Sequence, residues 1–504
     1  MSKVGFGTLN WIVLVLYLLV MLSVGAYFTR KASKNTDAFF KAEGKIPAWA
    51  AGFSIYATTL SAITFMSTPE QSFLQDWSYA IGSFSILIIL PLLVKYYVPF
   101  FRKLQVTTAY EYLEERFSPV MRAISSILFM LYHIGRIAIV IYLPIIAITS
   151  VSNINPIVIA IAIGGLCILY TFLGGIEGVI WSDVIQGFLL LGGALLVCIL
   201  GIAYIHGGLG TVVQDVSIHH KFISGADFNV NDLSKFVPLI LAGQIFNTLY
   251  QYTGSQDVVQ RYQTTGSLKE AKSSLYTNGW LALITIPLFF GMGTILFSFY
   301  QHAGTLPKNF NTSAIVPYFI ITQMPAGIAG LVIAGIFAAA QSTIASSLNA
   351  ISSCAISDFK QRFFSDKLKG IKDVTLARII IIIAGLLGLS IAIYLLLGNA
   401  SGTWNLFLTV TGIFGVPIAG IFAVGIFTKR ANTVGVLTGL IISVILSFWV
   451  DSLNISSLLV ACVAFISSFV ISYIVSLFTP SHTKDVTGLT AATINEDYVK
   501  KQDR

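Results

Sequence analysis

Ser54–Thr64 reads SIYATTLSAIT. Its hydroxyl residues Ser54, Thr58, Thr59, Ser61 and Thr64 interrupt a stretch otherwise apolar enough to cross a bilayer. In hydrocarbon every backbone and side-chain polar group must find its partner inside the protein. The central run Ala57–Ser61 therefore makes a poor continuous helix unless its polar groups line a cavity. A helix broken there frees backbone carbonyls, and such carbonyls can coordinate a cation. The competing reading is that small hydroxyl residues simply let helices pack closely.

The rest of the chain points to the same setting. Of its 504 residues, 56% are hydrophobic and only 10% charged, against about a quarter charged in soluble domains. The apolar stretches reach the roughly 20 residues that a bilayer crossing needs. They predict an all-α integral membrane protein with about 13 spans, at 8–28, 47–72, 77–101, 121–150, 156–173, 178–206, 235–252, 272–300, 315–352, 376–397, 404–427, 433–451 and 455–478. The first is too long for a signal-peptide core and lacks a cleavage site, and Lys3 alone precedes it, so it is expected to be retained. The odd number puts the termini on opposite sides of the membrane. With the N-terminus outside, 24 of the 30 Lys and Arg fall inside, among them Arg30, Lys31, Lys34, Lys41 and Lys45. Only Lys3, Lys221, Lys235 and Lys308 then lie outside, while Lys95 and Arg136 sit within spans. This bias predicts the N-terminus out and the C-terminus in.

Several function classes are excluded. The net charge of +8 does not indicate nucleic acid, because the basic residues lie between apolar spans and not on one face or tail. Cys167, Cys198, Cys354 and Cys462 all fall in apolar stretches without a CxxC pair, which argues against both a disulfide framework and a zinc site. No GK followed by Ser or Thr supplies a P-loop, and no DKTGT-type phosphorylation motif is present. An enzyme or ATP-driven pump is thus not indicated, and energy for any transport must come from a gradient. The outer segment 207–234 is too short for a soluble domain, and the polar tail after about residue 479 is expected to be mobile.

Three polar features inside the spans carry chemistry. Ala339, Ser342, Thr343 and Ser346 stand at i, i+3, i+4 and i+7 and share one helical face. Hydroxyls so aligned suit a hard cation, with a small-residue packing seam as the alternative. Arg136 lies in mid-span, where a charged side chain costs about 2.5–3.5 kcal/mol. Either an acid on another helix pairs with it, for which Glu70, Glu177 and Asp183 lie poorly near span ends, or its planar fork grips a substrate carboxylate. The second reading is preferred; His133, one turn away, is assigned only packing or cavity lining. Asp183 either caps the start of its helix or supplies charge for a cation. The Gly174–Gly175 pair allows a tight turn between spans.

Two longer runs carry a resemblance. LYTFLGGIEGVIWSDVIQ (Leu169–Gln186) and AGIFAAAQSTIASSLNAISS (Ala334–Ser353) are similar to the two signatures of the sodium:solute symporter family. The resemblance extends over all the spans and is strongest to its bacterial sialic acid symporters. It implies a LeuT-type fold of 5+5 inverted repeats, with the first helix of each repeat interrupted at the midplane. GQIFNTLYQYTGSQD (Gly243–Asp257) is then the second interruption. The implied organisation is a first helix and basic loop (1–46), repeat one (47–206), an outer segment (207–234), repeat two (235–427), two extra helices (428–478) and a cytoplasmic tail (479–504).

By the same resemblance, the main sodium site comprises the carbonyls of Ala57, Leu60 and Ala339 and the hydroxyls of Ser342 and Thr343. A second site would use Asp183, Ser342, Ser346 and a hydroxyl at position 345, where this chain has Ala345. The implied substrate ligands are Arg136 for the carboxylate, with Thr59, Ser61 and Thr64. Ser83 stands where relatives may carry an amide. The expectation is a multi-pass cell-membrane symporter coupling one or two Na+ to import of a small anion, sialic acid first. It has no evident obligate protein partner. Symport of another organic anion, an amino acid or a sugar is the alternative, and a membrane sensor is disfavoured by the short tail. Stoichiometry matters: one sodium with a monoanion moves no charge and supplies about 1.4 kcal/mol per tenfold gradient. A second sodium adds as much again plus about 2.3 kcal/mol per 100 mV.

Overall fold

The computed structural model describes residues 5–151, 154–223, 228–233, 235–308, 310–398, 403–479 and 485–495. Lys3, parts of the outer segment 207–234 and most of the tail lie outside the described residues. Among the described residues every regular element is a helix, as a bilayer requires of a spanning chain without a closed barrel. The labelled helices are α1 (Thr8–Ala32), α2 (Ala48–Thr59), α3 (Ala62–Leu74), α4 (Ser78–Lys103), α5 (Pro119–Val151) and α6 (Pro156–Ala203). They continue with α7 (Val237–Thr253), α8 (Gln256–Gln263), α9 (Leu268–His302), α10 (Ile328–Cys354), α11 (Asp373–Leu397), α12 (Val416–Phe427), α13 (Thr433–Ser452) and α14 (Ser457–Phe478). Among the described residues, 10 helical stretches are long and apolar enough to cross a membrane.

Burial sorts these helices into core and periphery. The most apolar window of α1 is 22% buried, whereas that of the stretch containing α10 is 89% buried. The second is therefore the axis of the bundle and the first a lipid-facing strut. Large apolar side chains at the rim, such as Leu16, Phe188, Ile284 and Leu386, remain exposed, as contact with lipid tails permits.

Local sequence explains the joints. Gly175 adopts φ 56°, which ends the first half of α6 and starts the second. A Cβ there would meet Ala32 and the Phe39 carbonyl at 3.1 Å, so the Gly-Gly turn is fixed by both backbone and space. The expected span 315–352 is two helices, Ile315–Gln323 and α10. Met-Pro-Ala-Gly separates them: Pro325 pushes Met324 to extended backbone, and Gly327 takes φ 87°. Asn10 then caps α10, its Oδ1 accepting from the Gly327 and Gly330 amides at 2.7 and 2.9 Å. The outer segment, expected as a loop, contains the helix Gly208–Ile218.

The tail also departs from expectation. Residues 485–495 are docked, not loose: the Ala491 amide donates to the Ile426 carbonyl at 2.7 Å, and Leu489 is buried. Tyr112 and Lys103 donate to the Leu489 and Ile494 carbonyls. Beside them, Arg116 donates to the carbonyls of Gly425, Thr428, Lys429 and Ala431, satisfying the end of α12.

Candidate functional site

The helix containing SIYATTLSAIT is broken where the sequence suggests. Leu60 (φ −94°, ψ 114°) and Ser61 (φ −112°, ψ 174°) are extended between α2 and α3. The Ser61 hydroxyl accepts from the Ile63 amide and so caps α3. Carbonyls in the last turn of α2 lose the amides that a continuous helix would offer. The matching break in the second half falls at Gly254–Ser255, between α7 and α8.

Above the first break lies a cavity of about 260 Å³ lined by Thr59, Leu60, Ser61, Thr64 and Ser83, with Asn247 from α7 opposite. Four of the five predicted substrate residues thus meet in one chamber. Glu70 also borders it, accepting from the hydroxyls of Thr312 and Ser313 at 2.8 Å.

Arg136, the fifth, is not among the lining residues. It is fully buried, donating from Nη1 to Asp257 Oδ2 and from Nη2 to the Thr58 carbonyl, each at 2.9 Å. Its Nε has no partner among the described residues. The acid that pairs with it is Asp257 on α8. Glu70 is held by Thr312 and Ser313, Glu177 by Lys31 at 2.5 Å, and Asp183 by Arg261 at 2.8 Å. Tyr132, one turn from Arg136 on the same face, does line the cavity. His133 bridges the second break to α10, with Nε2 on Ser255 Oγ at 3.1 Å and Nδ1 on Ser347 Oγ at 2.8 Å.

The hydroxyl face of α10 points into the same core. The Thr343 hydroxyl donates to the Ala339 carbonyl at 3.2 Å, and that of Ser342 to Asp183 Oδ1 at 2.6 Å. Ala57 and Leu60 flank the first break, across from this face: Thr58 Oγ1 and Ser346 Oγ are 3.0 Å apart. Asp183 is fully buried and accepts further hydrogen bonds from Ser54 and Arg261 at its other oxygen. Ala345 adds no polar atom.

Sequence reasoning missed three residues. Asp257, the last residue of the second interrupted run, is the acid absent from the candidate partners of Arg136. The twofold logic of paired breaks is the signal that would have found it. Arg261, one of the basic residues between spans, carries no local sign of its pairing with Asp183. Asn247 carries a buried amide with neither Nδ2 nor Oδ1 partnered among the described residues, although it borders the cavity.

A family model described as the sodium:solute symporter family matches residues 39–443. The chain is 45% identical to the sodium/sialic acid symporter NanT of Aliivibrio fischeri, covering 90% of this chain and 89% of that one. It is 45% identical to the sodium/sialic acid symporter SiaT of Proteus mirabilis, over 87% and 89%. The human sodium-coupled monocarboxylate transporter 1 is 29% identical over 88% and 74%. Among solved structures, a substrate-bound, outward-open Na+-coupled sialic acid symporter superposes with a TM-score of 0.90, at 42% identity and coverage of 94% and 98%. The nucleobase-cation symporter Mhp1 shares the fold alone, with a TM-score of 0.55 at 14% identity over 89% and 97%.

Proposed function

The chain belongs to the sodium:solute symporter family, and from that premise we propose that it carries sialic acid (N-acetylneuraminate) into the cell with sodium, by alternating access. The observation that carries this reading is the 45% identity to two sodium/sialic acid symporters, which spans about nine tenths of the chain. The cavity beside the Leu60–Ser61 break supports it with hydroxyl donors suited to a polyhydroxylated anion.

In this reading sodium binds at the break, between the carbonyls of Ala57, Leu60 and Ala339 and the hydroxyls of Ser342 and Thr343. Oxygen-only ligands suit a hard monovalent cation. Thr59, Ser61, Thr64 and Ser83 contact the sugar. Arg136 takes the carboxylate when it exchanges Asp257 for substrate, a step its unused Nε favours. Sodium joins α2 to α10, so its binding sets the angle between the broken helix and the bundle axis. The arrangement of 13 spans, N-terminus outside, with repeats 47–206 and 235–427, completes the proposal and rests on the two breaks and the charge bias.

Uptake of labelled N-acetylneuraminate into proteoliposomes tests it. Accumulation should require an inward sodium gradient and be competed by unlabelled sialic acid far better than by small monocarboxylates. Sodium-driven uptake of a monocarboxylate without sialic acid uptake would overturn the substrate.

A further inference from the structure

The chamber beside the first break has opposite chemistry at its two ends. At the break, Thr59, Ser61 and Thr64 bring hydroxyls to it, and Arg136 reaches the neighbouring Thr58 carbonyl. At the rim remote from the break stands a carboxylate, Glu70. Its Oε1 accepts from the Thr312 and Ser313 hydroxyls, each at 2.8 Å. Those donors sit on a turn with its own cap, in which Asn311 Oδ1 accepts from the Ser313 amide at 3.1 Å. The Glu70 carboxylate is thus held in one orientation by a built support. Its Oε2 has no partner among the described residues, and no basic side chain there pairs with it.

Ser61, Thr64, Ser67 and Glu70 follow one another at intervals of three from the break along α3, and all four border the cavity. Such steps keep successive side chains on adjoining parts of one helix surface. Glu70 lies about 9 Å beyond Thr64 along the axis. Side chains on a helix lean toward its N-terminus, which for α3 is the break. A nine-carbon sugar acid with its carboxylate at the break therefore brings its glycerol side chain to Glu70. An ionised carboxylate only accepts hydrogen bonds, so it selects for donors. The hydroxyls of that side chain fit, whereas a second negative group in the same place meets like charge.

We propose that Glu70 is a specificity-determining residue. It accepts a hydrogen bond from a hydroxyl at the end of the substrate remote from the carboxylate, and it rejects substrates that carry a second negative charge there. The inference rests on the sialic acid reading above, because it needs a long hydroxylated anion in the chamber. Small monocarboxylates bound at the break stop short of Glu70 and forgo the contact.

Competition against uptake of labelled N-acetylneuraminate in proteoliposomes tests it with two analogues. In one the glycerol side chain is cut back to a single hydroxymethyl group; in the other its terminal carbon is oxidised to a carboxylate. Against the wild-type protein each should compete at least about tenfold more weakly than sialic acid, the worth of one hydrogen bond to a charged group. An analogue with the terminal carboxylate that competes as well as sialic acid overturns the proposal. Glu70→Gln keeps an oxygen for Thr312 and Ser313 but removes the charge. It should weaken sialic acid itself several-fold and shrink the penalty on both analogues, as expected when the two changes remove one shared contact. Penalties unchanged from wild type would refute the role. The sodium concentration for half-maximal uptake at saturating sialic acid should match wild type, and a shift would place Glu70 on the ion path instead. Absence of sialic acid uptake by the wild-type protein would remove the substrate reading and this inference with it, whereas uptake with unchanged penalties in Glu70→Gln would remove this inference alone.

Discussion

Arg136 and Asp257 form a buried ion pair, Nη1 to Oδ2 at 2.9 Å, between α5 and α8, the second half of the second broken helix. The pair couples a mid-span helix to the break at Gly254–Ser255, because Ser255 donates to the other Asp257 oxygen at 2.6 Å. Arg136 also reaches the Thr58 carbonyl beside the first break. One side chain thus connects both interruptions, and removing it has more than one effect.

Arg136→Ala should abolish uptake and also destabilise the protein by about 3–5 kcal/mol, because it strands a buried carboxylate. The double variant Arg136→Ala with Asp257→Ala should recover most of that stability without recovering uptake. Thermal unfolding in detergent and proteoliposome uptake, measured on the same preparations, separate the two. Recovery of uptake in the double variant would eliminate Arg136 as the carboxylate ligand.

Thr343→Ala removes a hydroxyl from the proposed sodium site on α10 while leaving the Asp183–Arg261 network untouched. The sodium concentration for half-maximal uptake should rise roughly tenfold, equivalent to about 1.4 kcal/mol. Maximal uptake at saturating sodium should persist. An unchanged sodium titration would take α10 out of the ion site.

Asn247 presents an amide whose donor and acceptor are both unmatched among the described residues. An unmatched buried polar group costs about 1–3 kcal/mol, so Asn247→Leu should leave stability equal or improved. If the amide contacts the proposed substrate, the apparent KM for sialic acid should rise at least several-fold. A variant with wild-type KM would show that the amide faces solvent alone.

The docked segment 485–495 buries Leu489 against the end of α12. Truncation after residue 484 should lower stability by about 1.5–3 kcal/mol, the burial value of one such side chain. Hydrogen exchange near Ile426 and Tyr112 should quicken. Identical melting with and without the segment would mean that the contact is incidental.

Much of this architecture was legible in the sequence because the bilayer makes polarity conspicuous. A hydroxyl cluster amid apolar residues points to the first break, whereas the second, in Gly243–Asp257, follows only from the family resemblance. Thr59, Ser61, Thr64 and Ser83 border one cavity because the first break turns its hydroxyls, and α4 its Ser83, toward the same space. The pairings were not legible. Arg261 and Asp183 are separated by 78 residues, and nothing local to either distinguishes a substrate-gripping arginine from a structural one. The break at Met324–Gly327 was readable from Pro325 and Gly327 but was outweighed by the apolar run around it. The docking of 485–495 depends on backbone hydrogen bonds, which composition does not announce.

Arg136 and Asp257 are 121 residues apart in the chain. At roughly 5–20 residues per second, the arginine leaves the ribosome about 6–24 s before its counter-ion exists. For that interval the nascent helix carries an unmatched charge that the lipid disfavours by about 2.5–3.5 kcal/mol. Its full commitment to the membrane therefore waits on the second half of the protein, where Asp257 lies.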